Sequence, residues 1–142
     1  MIRIFVDSSV LFAATYSSRG FSRDIILKGV KGNVKLVVSN LVFAEVALNL
    51  EKDAKDKLYL LEFIKEFVPF EFVRATKKDV LSAAKYVELK DAPIVAAAKK
   101  AGVDLLVTLD RKHLLGKPEI SKFIKAQIVT PKEAVEIILI IE

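Results

Sequence analysis

Apolar residues along the chain fall into short continuous runs. Between them lie longer stretches in which apolar positions recur every three or four residues, so the pattern reads as strands alternating with helices. The predicted strands are Ile2-Arg3-Ile4-Phe5-Val6, Val34–Val38, Pro69–Val73 (the weakest), Leu105–Thr108 and Ala126–Val129. A short helix follows Ser9, and Ser17-Ser18-Arg19-Gly20 reads as a loop. Ser22 is placed to cap a helix running to about Lys31 and stopping at Gly32, and Asn40 to cap one from Leu41 to about Leu50. Lys55–Phe67 continues the helical pattern, with Leu58, Leu61, Phe63 and Ile64 on one side and Lys57, Glu62, Lys65 and Glu66 on the other.

Thr76 with Asp79 forms a capping-box pattern for a helix reaching about Leu89. Asp91 caps the next helix, with Pro93 in its first turn and Gly102 just past its end. Thr130-Pro131 with Glu133 opens the last helix, although Val135–Ile141 also suits an extended segment. Phe5, Phe12, Phe43, Phe63 and Phe67 lie in apolar runs and are assigned to the core. Strands separated by helices predict an α/β fold with a mainly parallel sheet, covered on both faces and wound by right-handed connections. No repeat or long linker interrupts the pattern, so one domain over residues 1–142 is expected. In such sheets a ligand crevice lies outside the carboxyl ends of the strands.

Composition narrows the chemistry. The chain is 53% hydrophobic, enough for a packed core and too much for disorder. It has no Cys, which excludes disulfides, thiol nucleophiles and cysteine-held zinc. Its single His excludes multi-histidine metal sites and paired-histidine acid/base chemistry. There is no G-x-S-x-G elbow, no G-x-G-x-x-G and no Walker A loop, so serine hydrolysis and nucleotide cofactors drop out. No apolar run approaches the roughly 20 residues that span a bilayer, and a cytoplasmic protein without membrane contact is expected. The net charge of +5 points toward an anionic partner, or equally toward ordinary solvated lysines.

What remains is carboxylate chemistry. Asp7 follows the first strand directly and Asp110 follows Leu105–Thr108, so both belong at the carboxyl edge. Asp104 precedes that strand; six extended residues at about 3.3 Å each put it roughly 20 Å away, on the opposite edge. Glu45 is the one charge in the apolar stretch Leu41–Leu48, where burial is costly without compensation. Asp91 opens a small-residue helix suited to close packing on the sheet. Each acid also has a plain structural role open to it. Asp7 and Asp91 can be helix caps, Asp110 can hold a turn, and Glu45 can pair with a buried cation. Taken together, four acids at one edge repel one another unless a cation neutralises them. Oxygen-only ligation suits Mg²⁺ or Mn²⁺, and such ions activate water against a phosphodiester.

These residues resemble the PIN domain family across essentially the whole chain. The matching pieces are Val6-Asp7-Ser8-Ser9-Val10-Leu11, the helix holding Glu45, Asp91-Ala92-Pro93-Ile94-Val95-Ala96-Ala97-Ala98 and Val107-Thr108-Leu109-Asp110. The resemblance implies a three-layer α/β/α sandwich and a metal-dependent endoribonuclease. It also implies the catalytic and metal roles of Asp7, Glu45, Asp91 and Asp110, with Ser9 and Thr108 lining the site. Products with 5′-phosphate and 3′-hydroxyl ends follow if the family pattern holds. Many small members are VapC-like toxins, often dimeric and held by an antitoxin; others process RNA without one. A homodimer acting on RNA, with an antitoxin partner, is the corresponding expectation.

The chain departs from the family at His113, where an aromatic is common; the expectation there is a surface or helix-end histidine. Arg111 and Lys112 are placed to contact phosphates, or simply to solvate a turn, and Arg19 and Arg23 share that ambiguity. Tyr16, in a polar loop at the same edge, is the aromatic suited to a base. Two other readings stand beside the nuclease. A haloacid-dehalogenase-type phosphatase also places an Asp after its first strand, but requires a second Asp where this chain has Ser9. A noncatalytic module with the same fold needs none of the four acids intact.

Overall fold

The order of elements follows the hydrophobic pattern closely. A computed structural model describes all 142 residues as β1 (Arg3–Val6), α1 (Ser8–Tyr16), α2 (Phe21–Val30), β2 (Lys35–Val38), α3 (Asn40–Asp53), a 3₁₀ turn (Lys55–Lys57), α4 (Leu58–Phe67), β3 (Glu71–Phe72), α5 (Lys77–Ala83), α6 (Ala92–Ala101), β4 (Leu105–Val107), α7 (Pro118–Ile124), β5 (Gln127–Val129) and α8 (Pro131–Ile141). The strands form one parallel sheet in the order β3-β2-β1-β4-β5. β1 and β4 are buried almost throughout and carry no alternation, as strands covered on both faces require.

The winding reverses once. β1 leads outward to β2 and β3, and the chain then returns through α5 and α6 to β4 on the other side of β1. With right-handed crossovers this puts α1, α2, α3 and α4 on one face and α5, α6 and α7 on the other. The observed contacts agree: α1 touches α2 and α3, α2 touches α8, and α6 touches α5 and α7. The result is a three-layer α/β/α sandwich whose switch point lies between β1 and β4. No helix is long and apolar enough to cross a membrane.

Close packing of helix on sheet depends on small residues. Ala96, Ala97 and Ala98 of α6 are almost wholly buried, so this helix lies near the strands and carries Asp91 to the crevice. Gly29 of α2 faces Leu36 of β2 so closely that an added Cβ would stand 2.7 Å from its Cγ. At the amino edge Arg3 forks onto Glu71 at 2.9 and 2.6 Å and also donates to Ala101 O, tying β1 to β3 and to the end of α6. Asp104 sits at that edge too, accepting from Arg3 N at 2.8 Å.

Several local expectations are corrected. Ser39, not Asn40, caps α3, its hydroxyl accepting from Val42 N at 3.3 Å. Ser22 lies buried inside α2, whose N-cap position is Gly20 with φ of 107°, a positive value that suits glycine. The helix from the Thr76 capping box ends at Ala83 and continues only as turns, short of Leu89. α7 was not foreseen, and Val135–Ile141 is helical. Phe63 and Phe67 are exposed rather than core. With Tyr59 they form a stripe at four-residue spacing on the outer side of α4, while Leu61 and Ile64 turn inward.

Candidate metal centre at the carboxyl edge of the sheet

Val6 and Val107 are register partners, so Asp7 and Thr108 leave the sheet side by side at the switch point. Asp7 stands at the N-cap position of α1 but makes no capping bond. Its buried carboxylate is instead held through one oxygen, Oδ2, which accepts from Ser9 Oγ at 2.8 Å and Thr108 Oγ1 at 2.6 Å. The two hydroxyls in turn accept from the next backbone amides, Ser9 from Leu109 N and Thr108 from Asp110 N, each at 3.0 Å. Both hydroxyl protons are thus committed to Asp7, and the ring of bonds stitches the start of α1 to the end of β4. Oδ1 of Asp7 makes no hydrogen bond.

α3 rises from the end of β2 and brings Glu45 to the same crevice. Burial pushes the Glu45 carboxyl up, and the charges of Asp7 and Asp91 add to the rise. The Ser8 hydroxyl offsets part of this through its closeness to Glu45, yet Ser8 Oγ is buried without a hydrogen-bond partner of good geometry. Asp91 occupies the N-cap position of α6 with helical φ and ψ of −93° and −16°, and it too makes no capping bond. Burial raises its carboxyl; His113 and Lys90 work against the rise, and Asp110 and Glu88 reinforce it. Oδ2 of Asp91 is buried with no partner at all. An orphaned carboxylate oxygen of this kind is costly, and a cation is the natural complement to it.

Asp110 is more committed than its position in the sequence suggests. Oδ1 accepts from Lys112 N at 3.1 Å and His113 N at 2.9 Å, so the side chain does hold its own turn. Oδ2 lies 3.3 Å from His113 Nδ1. The ring of His113 is mostly buried and its Nε2 lies 3.5 Å from Glu88 Oε2. One donor atom each from Glu88, Asp91 and His113 lie within 4.8 Å of one another. Sequence reasoning missed Glu88 and placed His113 on the surface. The available signal was spacing, since Glu88 and His113 each stand three residues from an assigned acid, Asp91 and Asp110.

The charge interactions link the four acids in a chain rather than a single knot. Glu45 feels Asp7 and Asp91, and Asp91 feels Asp110. The donor set is dominated by oxygen and includes an unpartnered buried carboxylate oxygen, which fits a hard divalent ion. Arg111 and Lys112 are exposed beside Asp110. Arg23 is turned away from solvent chemistry, its Nε donating to Ala14 O at 2.6 Å. Tyr16 does not lie in a loop at this edge: it is the exposed last residue of α1, about 12 Å along the helix from Ser8, and stacks on Phe12.

A family model described as the PIN domain matches residues 4–115. No curated protein matches the chain in sequence. The crystal structure of PAE2754 from Pyrobaculum aerophilum superimposes with a TM-score of 0.66 at 22% identity, covering 97% of this chain and 90% of that one. The structure of FitAB bound to an IR36 DNA fragment superimposes with a TM-score of 0.56 at 16% identity, covering 90% of this chain and 94% of that one. These two likenesses concern the fold.

Proposed function

The chain belongs to the PIN domain family, and from that premise we propose that residues 1–142 form one metal-dependent endoribonuclease domain. Asp7, Glu45, Asp91 and Asp110 hold Mg²⁺ or Mn²⁺ in the crevice between β1 and β4. The observation that carries this reading is the buried Oδ2 of Asp91, unpaired beside the charges of neighbouring acids. A divalent cation bound there supplies Lewis acidity, lowering the pKa of a water and balancing charge on the phosphodiester.

The protein's own groups do the rest. Ser9 and Thr108 fix Asp7 through Oδ2 and leave Oδ1 available to a ligand. Glu45, beside Asp7 and Asp91, serves as a ligand or as a holder of water on the ion. Arg111 and Lys112 are exposed at the mouth of the crevice, where they meet backbone phosphates. The family resemblance extends the proposal to a cytoplasmic homodimer controlled by an antitoxin. The exposed Tyr59, Phe63 and Phe67 stripe supports a protein partner of some kind.

The test incubates purified protein with structured RNA, unstructured RNA and DNA, in Mg²⁺, Mn²⁺ or chelator. The DNA arm is included because the fold relative FitAB was solved on DNA. Metal-dependent RNA cleavage that Asp7→Asn abolishes, with its circular dichroism unchanged, supports the reading. Cleavage that survives in Asp7→Asn or in chelator overturns it, and RNA binding without cleavage favours the noncatalytic module.

A further inference from the structure

We propose that Glu88, Asp91 and His113 form a transition-metal subsite, which adds a nitrogen donor to this centre and makes it prefer Mn²⁺, Co²⁺ or Zn²⁺ over Mg²⁺. The proposal deepens the nuclease reading and rests on it, because Asp91 belongs to both donor sets. One donor atom from each residue falls within a common 4.8 Å span.

The individual distances favour an ion over direct pairing. His113 Nε2 lies 3.5 Å from Glu88 Oε2, longer than the 3.3 Å at which Nδ1 meets Asp110 Oδ2. Two donors each about 2.1 Å from a tetrahedral ion stand roughly 3.4 Å apart. The other ring nitrogen is already occupied: Nδ1 faces Asp110 Oδ2 at 3.3 Å. With Nδ1–H donating to that carboxylate, Nε2 keeps its lone pair and points toward Glu88. A carboxylate behind the imidazole, setting its tautomer and orientation, is the usual support of a ligating histidine.

Asp110 is itself held by the amides of Lys112 and His113, so the ring is braced from its own turn. The third donor residue, Asp91, is shared with the four-acid centre, and its Oδ2 is buried and unpartnered. Imidazole raises affinity along the later first-row divalent ions, whereas Mg²⁺ is served best by oxygen alone. One nitrogen and two carboxylates therefore shift the balance of this site away from Mg²⁺.

The chain contains one His, which makes the test unambiguous in a protein carrying no affinity tag. Calorimetry with MnCl₂, CoCl₂ and MgCl₂ is run on wild type, His113→Gln and Glu88→Gln, and pulsed electron paramagnetic resonance is run on the Mn²⁺-loaded protein. The wild type should show a nitrogen coupled to Mn²⁺ that His113→Gln lacks. His113→Gln should weaken Co²⁺ and Mn²⁺ by about tenfold to a hundredfold and Mg²⁺ by less. Glu88→Gln, on an exposed residue with little bearing on the fold, should weaken the same two ions without removing the nitrogen signal. Normal metal binding by wild type with no nitrogen coupling, or equal loss of all three ions in His113→Gln, overturns the subsite and leaves the nuclease reading intact. Failure of the wild type to bind any of the ions overturns both.

Discussion

Thr108 Oγ1 donates to Asp7 Oδ2 at 2.6 Å, joining residues 101 apart in sequence at the one place where the sheet reverses its winding. Thr108 is fully buried and also accepts from Asp110 N, so a single hydroxyl sets the position of two acids. Thr108→Val keeps the shape and removes both bonds. It should cost about 1–3 kcal/mol in urea unfolding, because a carboxylate and an amide lose a partner away from water. The same variant should bind divalent ions more weakly. Unaltered stability and metal affinity would show that the bond is incidental.

Glu45 and Asp91 have carboxyls raised by burial. In chelator the folded protein therefore keeps protons that the unfolded chain has released. Stability should fall as pH climbs from the ordinary carboxylate range through the raised values. Glu45→Gln should flatten that slope and raise the neutral-pH melting temperature of the chelated protein, while reducing its metal affinity. In the wild type a divalent ion at one hundred times its Kd should add about 2.7 kcal/mol. Unfolding curves across pH, with and without Mg²⁺ or Mn²⁺, measure all three effects.

The opposite sign applies to Glu71, Asp79 and Glu133. Arg3 holds the first below the usual range, and the amides and hydroxyls of Thr76 and Thr130 hold the other two. Their contribution is complete above the ordinary carboxylate range and is lost as pH falls through the lowered values. Thr130→Ala, which removes the cap of α8, should cost about 1 kcal/mol near neutrality and less in acid. Acid titration of stability in the variant and wild type checks the difference.

Gly29→Ala should destabilise the fold by about 1–3 kcal/mol through overpacking, because the new methyl meets the buried Leu36 side chain on β2. Adding Leu36→Val should recover part of that loss, giving a coupling between the two sites in a double-mutant cycle. Additive losses would mean that α2 shifts instead.

The strands, the capping boxes of α5 and α8, and the shared edge of Asp7 and Asp110 were legible because each follows from a local rule. Periodicity marks the strands, Thr-x-x-acid marks the caps, and a residue after a parallel strand has nowhere to go but the carboxyl edge. What depends on tertiary context was not legible. Phe63 reads as core from its apolar neighbours, yet only the docking angle of α4 decides that Leu61 and Ile64 face inward and Phe63 outward. Ser39 and Asn40 are equally good caps on paper, and the turn after β2 selects the first. Glu88 lies in turns beyond α5, where no periodicity applies. His113 escaped notice because a lone histidine carries no signal until the turn made by Asp110 aims it.

The two rims of the sheet have separate tasks. Arg3 clamps Glu71, Ala101 and Asp104 at the amino rim, and Lys28 reaches Glu142 at 2.7 Å on the same side, far from the acids. The foundations of the molecule are thus bolted where no ligand is handled. The loop Leu109–Lys117 at the other rim carries Asp110 and His113, and outside those two residues and the buried Leu114 it can change without loosening that frame.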